Sequence, residues 1–226
     1  EHYDDDVRFA VAERQVLPVY IMEKLANDDD YEVKQAIAGR DDLPERLVER
    51  LASDEDEDVR YAIARRDDLP KHVVEKLAGD NYNVKSVIAS HKDLPEHIVE
   101  KLAGDEYVDV RVIIAGRDDL PDHLIEKLAD DDNVFVKQAI AGREELPQHV
   151  VEKLAGGVFT VRGEIARRKN LPDHLIEKLA GDPNADVKRG IAGRDDLPDH
   201  LIEKLAGDPS EDVRKRIAGR DDLPQH

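Results

Sequence analysis

The sequence DVRVIIAGRDDLPDHLIEKLAD, residues 109–130, holds most of one copy of a motif that fills the chain. A second copy, DVKRGIAGRDDLPDHLIEKLAG at residues 186–207, differs mainly just after Val-Arg or Val-Lys. The valine that opens each copy recurs every 25 or 26 residues, at Val7, Val33, Val59, Val84, Val110, Val136, Val161, Val187 and Val213. A unit of this length cannot bury its apolar face alone, so the period predicts stacked units in a solenoid.

The whole chain is predicted to be one domain. We expect a single solenoid over residues 1–226, with repeats that start near residues 1, 28, 54, 80, 105, 131, 157, 182 and 208. The chain begins at Glu1 without a methionine and stops at His226 inside a truncated repeat, so we expect a fragment or a processed chain. Ends that lack a polar capping repeat expose core side chains, which makes end-to-end self-association one expectation.

The composition is that of a chain that faces water. The formal net charge is -19, 38% of residues are charged, and no apolar run approaches the ~18 residues of a membrane span. No segment reads as a signal peptide, and the cytoplasm is the default compartment. Cysteine is absent, which excludes disulfides and thiolate metal ligands. The acidity keeps the chain soluble and repels polyanions.

Each repeat predicts two helices. In the second, the apolar residues of LPDHLIEKLA (120–129) form one stripe for the core, and a proline stands near the start of each such segment. We expect its end to be a left-handed glycine stop at Gly79, Gly104, Gly156, Gly181 and Gly207. The first helix, Val-Arg-x-x-Ile-Ala, spans about two turns that could be α or 3₁₀. The aspartates before its valine are predicted caps: Asp6, Asp58, Asp109, Asp186 and Asp212.

The repeats share the pattern Val-Arg-x-x-Ile-Ala-x-Arg-x-x-Leu-Pro-x-x-Leu-x-x-Lys-Leu-Ala-x-Asp. This pattern resembles the leucine-rich variant repeat family, in the style of HEAT and armadillo repeats, and it covers essentially residues 1–226. The resemblance implies an all-α, right-handed superhelical solenoid of about nine two-helix repeats, each a short α or 3₁₀ helix plus a longer α-helix, without a sheet. It implies no single activity. The iron–sulfur segment of some members needs cysteines, so we expect no cofactor here.

Two rows of cations run through the repeats, and they have two interpretations. One row begins at Arg8, Lys34 and Arg60; the other contains Arg14, Arg40, Arg66, Arg117, Arg143, Arg168, Arg194 and Arg220, with His91 in the gap. Regularly spaced cations could follow a nucleic-acid backbone. We favour an ion ladder with the recurring aspartates, because the repeated frame uses 25 of the 34 basic residues. A nucleic-acid partner is therefore the less favoured alternative.

Metal binding and catalysis find little support in the sequence. The histidine row contains His72, His97, His123, His149, His174, His200 and His226, but stacked repeats space its members about 10 Å apart, so they cannot converge on one ion. The acidic clusters lack the glycine and distal glutamate of an EF-hand loop, and we interpret them as turn and cap residues. Acids and histidines recur identically in each unit, which suits structure better than one active site. We expect neither a metal site nor an enzyme.

The variable stretch around each first helix carries the functional prediction. It contains eight of the nine aromatic residues, whereas Tyr20 lies in a second helix. Aromatic and aliphatic side chains within a charged border are typical of protein-binding hot spots. We predict a non-enzymatic scaffold that binds a protein or an extended peptide, with nucleic-acid binding and self-assembly as the alternatives. The predicted contact residues are Tyr61, Tyr82, Tyr107, Val108, Val112, Ile113, Val134, Phe135, Val158 and Phe159.

Overall fold

A computed structural model describes residues 5–221 and 223 of the chain. The described residues form an all-α solenoid of two-helix repeats, without strands. All of these helices are α, which decides the α or 3₁₀ alternative for the first helices. The chain divides into two compact units, Glu1–Ile114 and Ala115–His226. Within the described ranges, no helix is long and apolar enough to cross a bilayer.

The first unit alternates first and second helices. Its first helices are α1 (Asp5–Ala12), α3 (Tyr31–Ala38), α5 (Glu57–Ala64), α7 (Tyr82–Ala89) and α9 (Val108–Ala115), the last residue of which is counted with the second unit. Its second helices are α2 (Val19–Leu25), α4 (Glu45–Leu51), α6 (Lys71–Leu77) and α8 (Glu96–Leu102). Helix α1 packs against α3, α3 against α5 and α5 against α7, so these first helices form a continuous layer.

The second unit follows the same plan. Its second helices are α10 (Asp122–Ala129), α12 (Gln148–Leu154), α14 (Asp173–Ala180) and α16 (Asp199–Ala206). Its first helices are α11 (Val134–Ala141), α13 (Phe159–Ala166), α15 (Ala185–Ala192) and α17 (Glu211–Ala218), and each packs on the next. At α13 and α15 the packing leaves little room: a Cβ added to Gly190 would lie 3.0 Å from the Cβ of Ala166.

The core repeats the same side chains in each unit. In the first helices from α3 to α15 the valine, isoleucine and alanine of the motif are fully covered, as at Val84, Ile88 and Ala89. In the second helices from α4 to α16 the two central apolar residues and the last leucine are buried, as at Ile98, Val99 and Leu102. Full burial of such a side chain stabilises the fold by about 1.5–3 kcal/mol. These helices are too short to persist alone, so they depend on this stacking.

Capping of the first helices differs from the prediction. The cap is the residue three positions before the valine: Asp30, Asp56, Asn81, Asn133 and Asn184 each accept a backbone N–H of the first turn. The predicted caps Asp6, Asp58, Asp109, Asp186 and Asp212 instead lie inside the first turn of their helices. The helix starts earlier than predicted, and these carboxylates interact there with the positive end of its dipole.

The second helices begin and end by other means than predicted. Proline is the N-cap and lies outside the helix, with ψ of 141° at Pro18 and 146° at Pro198. These helices therefore have seven or eight residues, no more than the first helices. No described glycine has a positive φ, so the predicted left-handed stops at Gly79, Gly104, Gly156, Gly181 and Gly207 are wrong. The chain stays right-handed there, with N–H groups bonded three residues back, as from Gly79 to Lys76.

Candidate recognition site

The first row of cations joins successive repeats. In most repeats this side chain bonds the aspartate 20 residues further along, in the loop that leads to the next repeat. The pairs are Arg8–Asp28, Lys34–Asp54, Arg60–Asp80, Lys85–Asp105, Arg162–Asp182 and Lys188–Asp208, at 2.5–2.9 Å. The carboxylate of the pair also accepts a backbone N–H in most of these loops, as from Asp30 to Asp28. The row is thus an ion ladder that fixes the loop before the first helix in these repeats.

The second row of cations lies just after the C-terminal ends of the first helices. Arg66 donates to the carbonyl oxygens of Arg40 and Asp41 in the preceding repeat and to both carboxylate oxygens of Asp68 in its own. The paired arginine holds the pKa of four such carboxyls below the ordinary value: Asp42, Asp68, Asp119 and Asp196. This row therefore joins repeats through backbone carbonyls, because the paired aspartate lies in the same repeat as the arginine.

Several repeats depart from this arrangement, among them those of His91 and Arg143. His91 replaces the arginine, and its Nε2 lies 2.6 Å from the carbonyl oxygen of Ala64. At Arg143 the two following aspartates are glutamates, and the Nε atom of Arg143 is buried without a hydrogen-bond partner. Burial lowers the pKa of Arg143. A frame position thus tolerates histidine, whereas a longer carboxylate in place of aspartate leaves a donor unsatisfied.

The histidine row makes contacts between second helices. The imidazole Nε2 of the second helix faces a glutamate of the preceding second helix, in the pairs His72–Glu49, His97–Glu75, His149–Glu126, His174–Glu152 and His200–Glu177. His226 lies outside the described residues. Nowhere in residues 5–221 do three or more histidine or acidic side chains converge in a way that could hold a metal ion.

The variable stretch of the first unit places two tyrosines together. Tyr82 opens α7 and Tyr107 directly precedes α9. Their ring centroids are 5.3 Å apart with an angle of 58° between the planes, a tilted arrangement that aromatic pairs favour. Tyr82 is 37% exposed and Tyr107 39% exposed, so one part of each ring packs on its surroundings and the other part faces solvent.

Two charged side chains hold this pair. The Nζ atom of Lys85 lies 5.2 Å from the Tyr107 ring centroid, within cation–π range, and 2.9 Å from the Asp105 carboxylate. Asp105 is itself buried and accepts the backbone N–H of Tyr107. On the other side, the Tyr82 hydroxyl donates to Asp109 at 3.1 Å. We call Tyr82, Lys85, Tyr107 and Asp109 the tyrosine cluster.

The other predicted contact residues of the first unit are partly covered. Tyr61, Val112 and Ile113 are half-buried on the layer of first helices, and Val108 is half-buried at the start of α9. In the residues that the structure describes, Tyr61 has no ring partner. The structure thus gathers Tyr82 and Tyr107 and leaves Tyr61 apart from them.

In the second unit the aromatic residues among the predicted contact residues do not pair with each other. Phe135 is 64% exposed in the first turn of α11, and Val158 and Phe159 are exposed at the start of α13. Val134 is half-buried. No ring pair joins them in the described part of this unit. Nearby, the hydroxyl of Thr160 is buried without a hydrogen-bond partner.

Sequence reasoning missed the polar half of the tyrosine cluster. Lys85 belongs to the first row of cations and Asp109 is one of the predicted caps, yet both hold an aromatic ring. Sequence position could have pointed to both residues, because Lys85 is three residues after Tyr82 and Asp109 is two residues after Tyr107. Each then contacts the tyrosine of the neighbouring repeat. Frame residues therefore also orient the variable ones.

Comparison with known proteins supports the fold. No protein-family model and no curated protein matches the chain. Among solved structures it is similar to a leucine-rich repeat variant with a novel repetitive structural motif, at 24% identity and a TM-score of 0.73 over 88% of this chain and 80% of the other. An engineered protein (14% identity, 93% and 81% covered, TM-score 0.32) and a designed armadillo repeat protein (14%, 89% and 97%, TM-score 0.21) are similar more weakly. The chain therefore has the fold of the leucine-rich repeat variant.

Proposed function

We propose that the chain is a non-enzymatic scaffold that binds a protein or an extended peptide, and that the tyrosine cluster is the centre of its binding face. The observation that carries this proposal is the pair of half-exposed rings, held in place before any partner arrives. Its variable neighbours on the first-helix layer, Tyr61, Val112 and Ile113, would extend the apolar contact. In the second unit Val134, Phe135, Val158 and Phe159 would offer further contacts.

Preorganisation is the physical reason to expect binding at these rings. Fixing a mobile side chain on binding costs about 0.5–1.5 kcal/mol, and a ring that is already held avoids most of that cost. Tyr107 packs against Tyr82 and under Lys85, and Tyr82 is held by Asp109. Tyrosine also offers a large apolar area with a hydroxyl for orientation, which is why it is enriched at hot spots.

The chemistry of the cluster favours a peptide or protein over a nucleic acid. Its one cation, Lys85, is already paired with Asp105, and Asp109 contributes a negative charge. A phosphate backbone would meet that carboxylate. An apolar or aromatic side chain of a partner, flanked by a hydrogen-bond donor for Asp109, would instead find complementary groups.

A peptide selection tests the proposal directly. A display library of linear peptides is selected on the immobilised chain, and the dissociation constant of an enriched peptide is measured by fluorescence anisotropy. The double variant Tyr82→Ala with Tyr107→Ala is expected to weaken binding at least about tenfold, as removal of hot-spot residues does. Far-UV circular dichroism checks that helical content is unchanged.

Tyr20→Ala is the matched control. Tyr20 is an exposed tyrosine on α2, outside the variable stretch, and its removal is expected to change the affinity less than about twofold. Equal losses in the two variants, or none in the double variant, would contradict the assignment of the site.

A further inference from the structure

A cationic pocket lies in the second unit, on the side where the first helices end. It encloses about 680 Å³ and is lined by six basic side chains against the acids Asp195 and Asp196. The basic side chains are Arg167, Arg168, Lys169, Arg189, Arg194 and Arg216. This is an unusual local balance in a chain with a net charge of -19.

A local change in the frame creates the pocket. The repeat corner reads AGRDD at residues 192–196, but ARRKN at residues 166–170. The glycine has become Arg167 and the two aspartates have become Lys169 and Asn170. The next two repeats add Arg189 and Arg216 at variable positions of their first helices. Small residues leave room for these side chains, since a Cβ on Gly193 would lie 2.8 Å from the guanidinium of Arg216.

Three of these cations lack a carboxylate partner. Arg168 donates to the carbonyl oxygens of Ala141, Arg143 and Glu144, and Asn170 takes the place of the aspartate that pairs with Arg194 in the corner 26 residues later. Among the described residues, the side chains of Lys169 and Arg216 have neither a hydrogen bond nor an ion pair. Because a cation attracts an anion more strongly when no carboxylate neutralises it, these three groups keep positive charge that can attract an anion.

The groove around the pocket decides which anion fits. A second cavity of about 390 Å³ shares Arg167, Arg168 and Lys169 with the first, and Glu144, Glu145 and Glu164 line its other wall. A nucleic-acid backbone carries one negative charge on every nucleotide and would meet these glutamates. A peptide can place acidic side chains only where the cations are. The mixed charges of the groove therefore favour a peptide.

We propose that this basic pocket binds an acidic segment of a partner protein, whose side-chain carboxylates pair with Arg168, Lys169 and Arg216. The pocket is separate from the tyrosine cluster in sequence and in chemistry. It gives the chain a second binding site, with its own specificity for negative charge. The rest of the partner segment lies along the groove toward Glu144, where neutral or basic residues fit.

The test is a titration of the full chain with short fluorescent peptides. A Glu-rich peptide is compared with the Gln-substituted peptide of the same length, with a phosphoserine peptide and with a single-stranded oligonucleotide. We expect the Glu-rich peptide to bind, with an affinity that falls as salt is added, and the Gln-substituted peptide to bind at least about tenfold more weakly. The variant Lys169→Gln with Arg216→Gln is expected to lose at least about tenfold in affinity for the Glu-rich peptide.

The matched control removes two exposed cations from the first unit, Arg46→Gln with Lys71→Gln, and so changes the net charge equally. It is expected to change the affinity less than about twofold. The proposal is overturned if the Glu-rich peptide does not bind, if both double variants weaken it equally, or if only the phosphoserine peptide or the oligonucleotide binds. Binding of the Glu-rich peptide that survives Tyr82→Ala with Tyr107→Ala separates this site from the tyrosine cluster.

Discussion

Replacement of Arg66 by alanine tests how the repeats are joined. The Arg66 guanidinium is almost fully buried and donates to two backbone carbonyls of the preceding repeat and to Asp68. Hydrogen bonds that involve a charged group contribute about 1.5–3 kcal/mol each, and a carbonyl left buried and unsatisfied costs a similar amount. The ion pair itself contributes about 0–1 kcal/mol, because the Asp68 side chain is 68% exposed. We expect Arg66→Ala to lower the free energy of unfolding by about 3 kcal/mol.

Two companion variants divide this effect into its parts. Asp68→Asn removes the ion pair and keeps the carbonyl contacts, so it is expected to cost less than about 1 kcal/mol. Arg66→His copies the natural replacement at His91, whose Nε2 lies near the carbonyl oxygen of Ala64. Its loss of unfolding free energy is expected to lie between those of Arg66→Ala and Asp68→Asn.

Urea denaturation followed by far-UV circular dichroism measures these differences, provided that the m-value stays the same across the variants. The reasoning is refuted if Arg66→Ala costs less than about 1 kcal/mol, or if Asp68→Asn costs as much as Arg66→Ala.

Three further predictions concern single groups. Arg66 and its equivalents hold the pKa of Asp68 and similar carboxyls below the ordinary 3.8, so the stabilisation from these ion pairs is complete above pH 3.8 and is lost as the pH falls below that value. Urea midpoints should therefore be flat at neutral pH and decline below about pH 4, less steeply in Asp68→Asn. Glu145→Asp should give the buried Nε of Arg143 a carboxylate two residues on and raise the unfolding free energy by about 1 kcal/mol; an unchanged urea midpoint would refute this. Thr160→Val removes a buried hydroxyl without a partner, so calorimetry should show an unchanged or higher melting temperature, and a clear decrease would show that the hydroxyl is satisfied.

The helical repeats could be predicted from the sequence because each repeat contains the same pattern of core residues. Residues of the same type as Val84, Ile88 and Ala89 recur at equivalent positions, and stacking of neighbouring repeats buries them. Helix ends were less predictable. Whether a glycine adopts a left-handed conformation depends on the path of the chain to the next repeat. At Gly79 the missing side chain instead leaves room for the Nζ atom of Lys101, since an added Cβ would lie 3.3 Å from it.

The candidate sites were predictable only in part. Aromatic enrichment pointed to Tyr82 and Tyr107, but their pairing depends on the register of two first helices, which composition does not encode. The corner ARRKN at residues 166–170 marks the cationic pocket in the sequence, because Lys169 and Asn170 replace the two aspartates. The sequence alone does not show the hydrogen bonds, in which Arg194 bonds Asp196 whereas Arg168 bonds carbonyls alone.

The central claim is that the repeated frame holds the structure while the tyrosine cluster contacts the partner. Amide chemical-shift mapping by NMR, with a library-selected peptide added to the isotope-labelled chain, tests it most directly. The account predicts that the largest shifts fall on Tyr82, Lys85, Tyr107 and Asp109, with the second-helix face around Tyr20 unchanged. Shifts centred on the second helices, or spread evenly over the repeats, would contradict it.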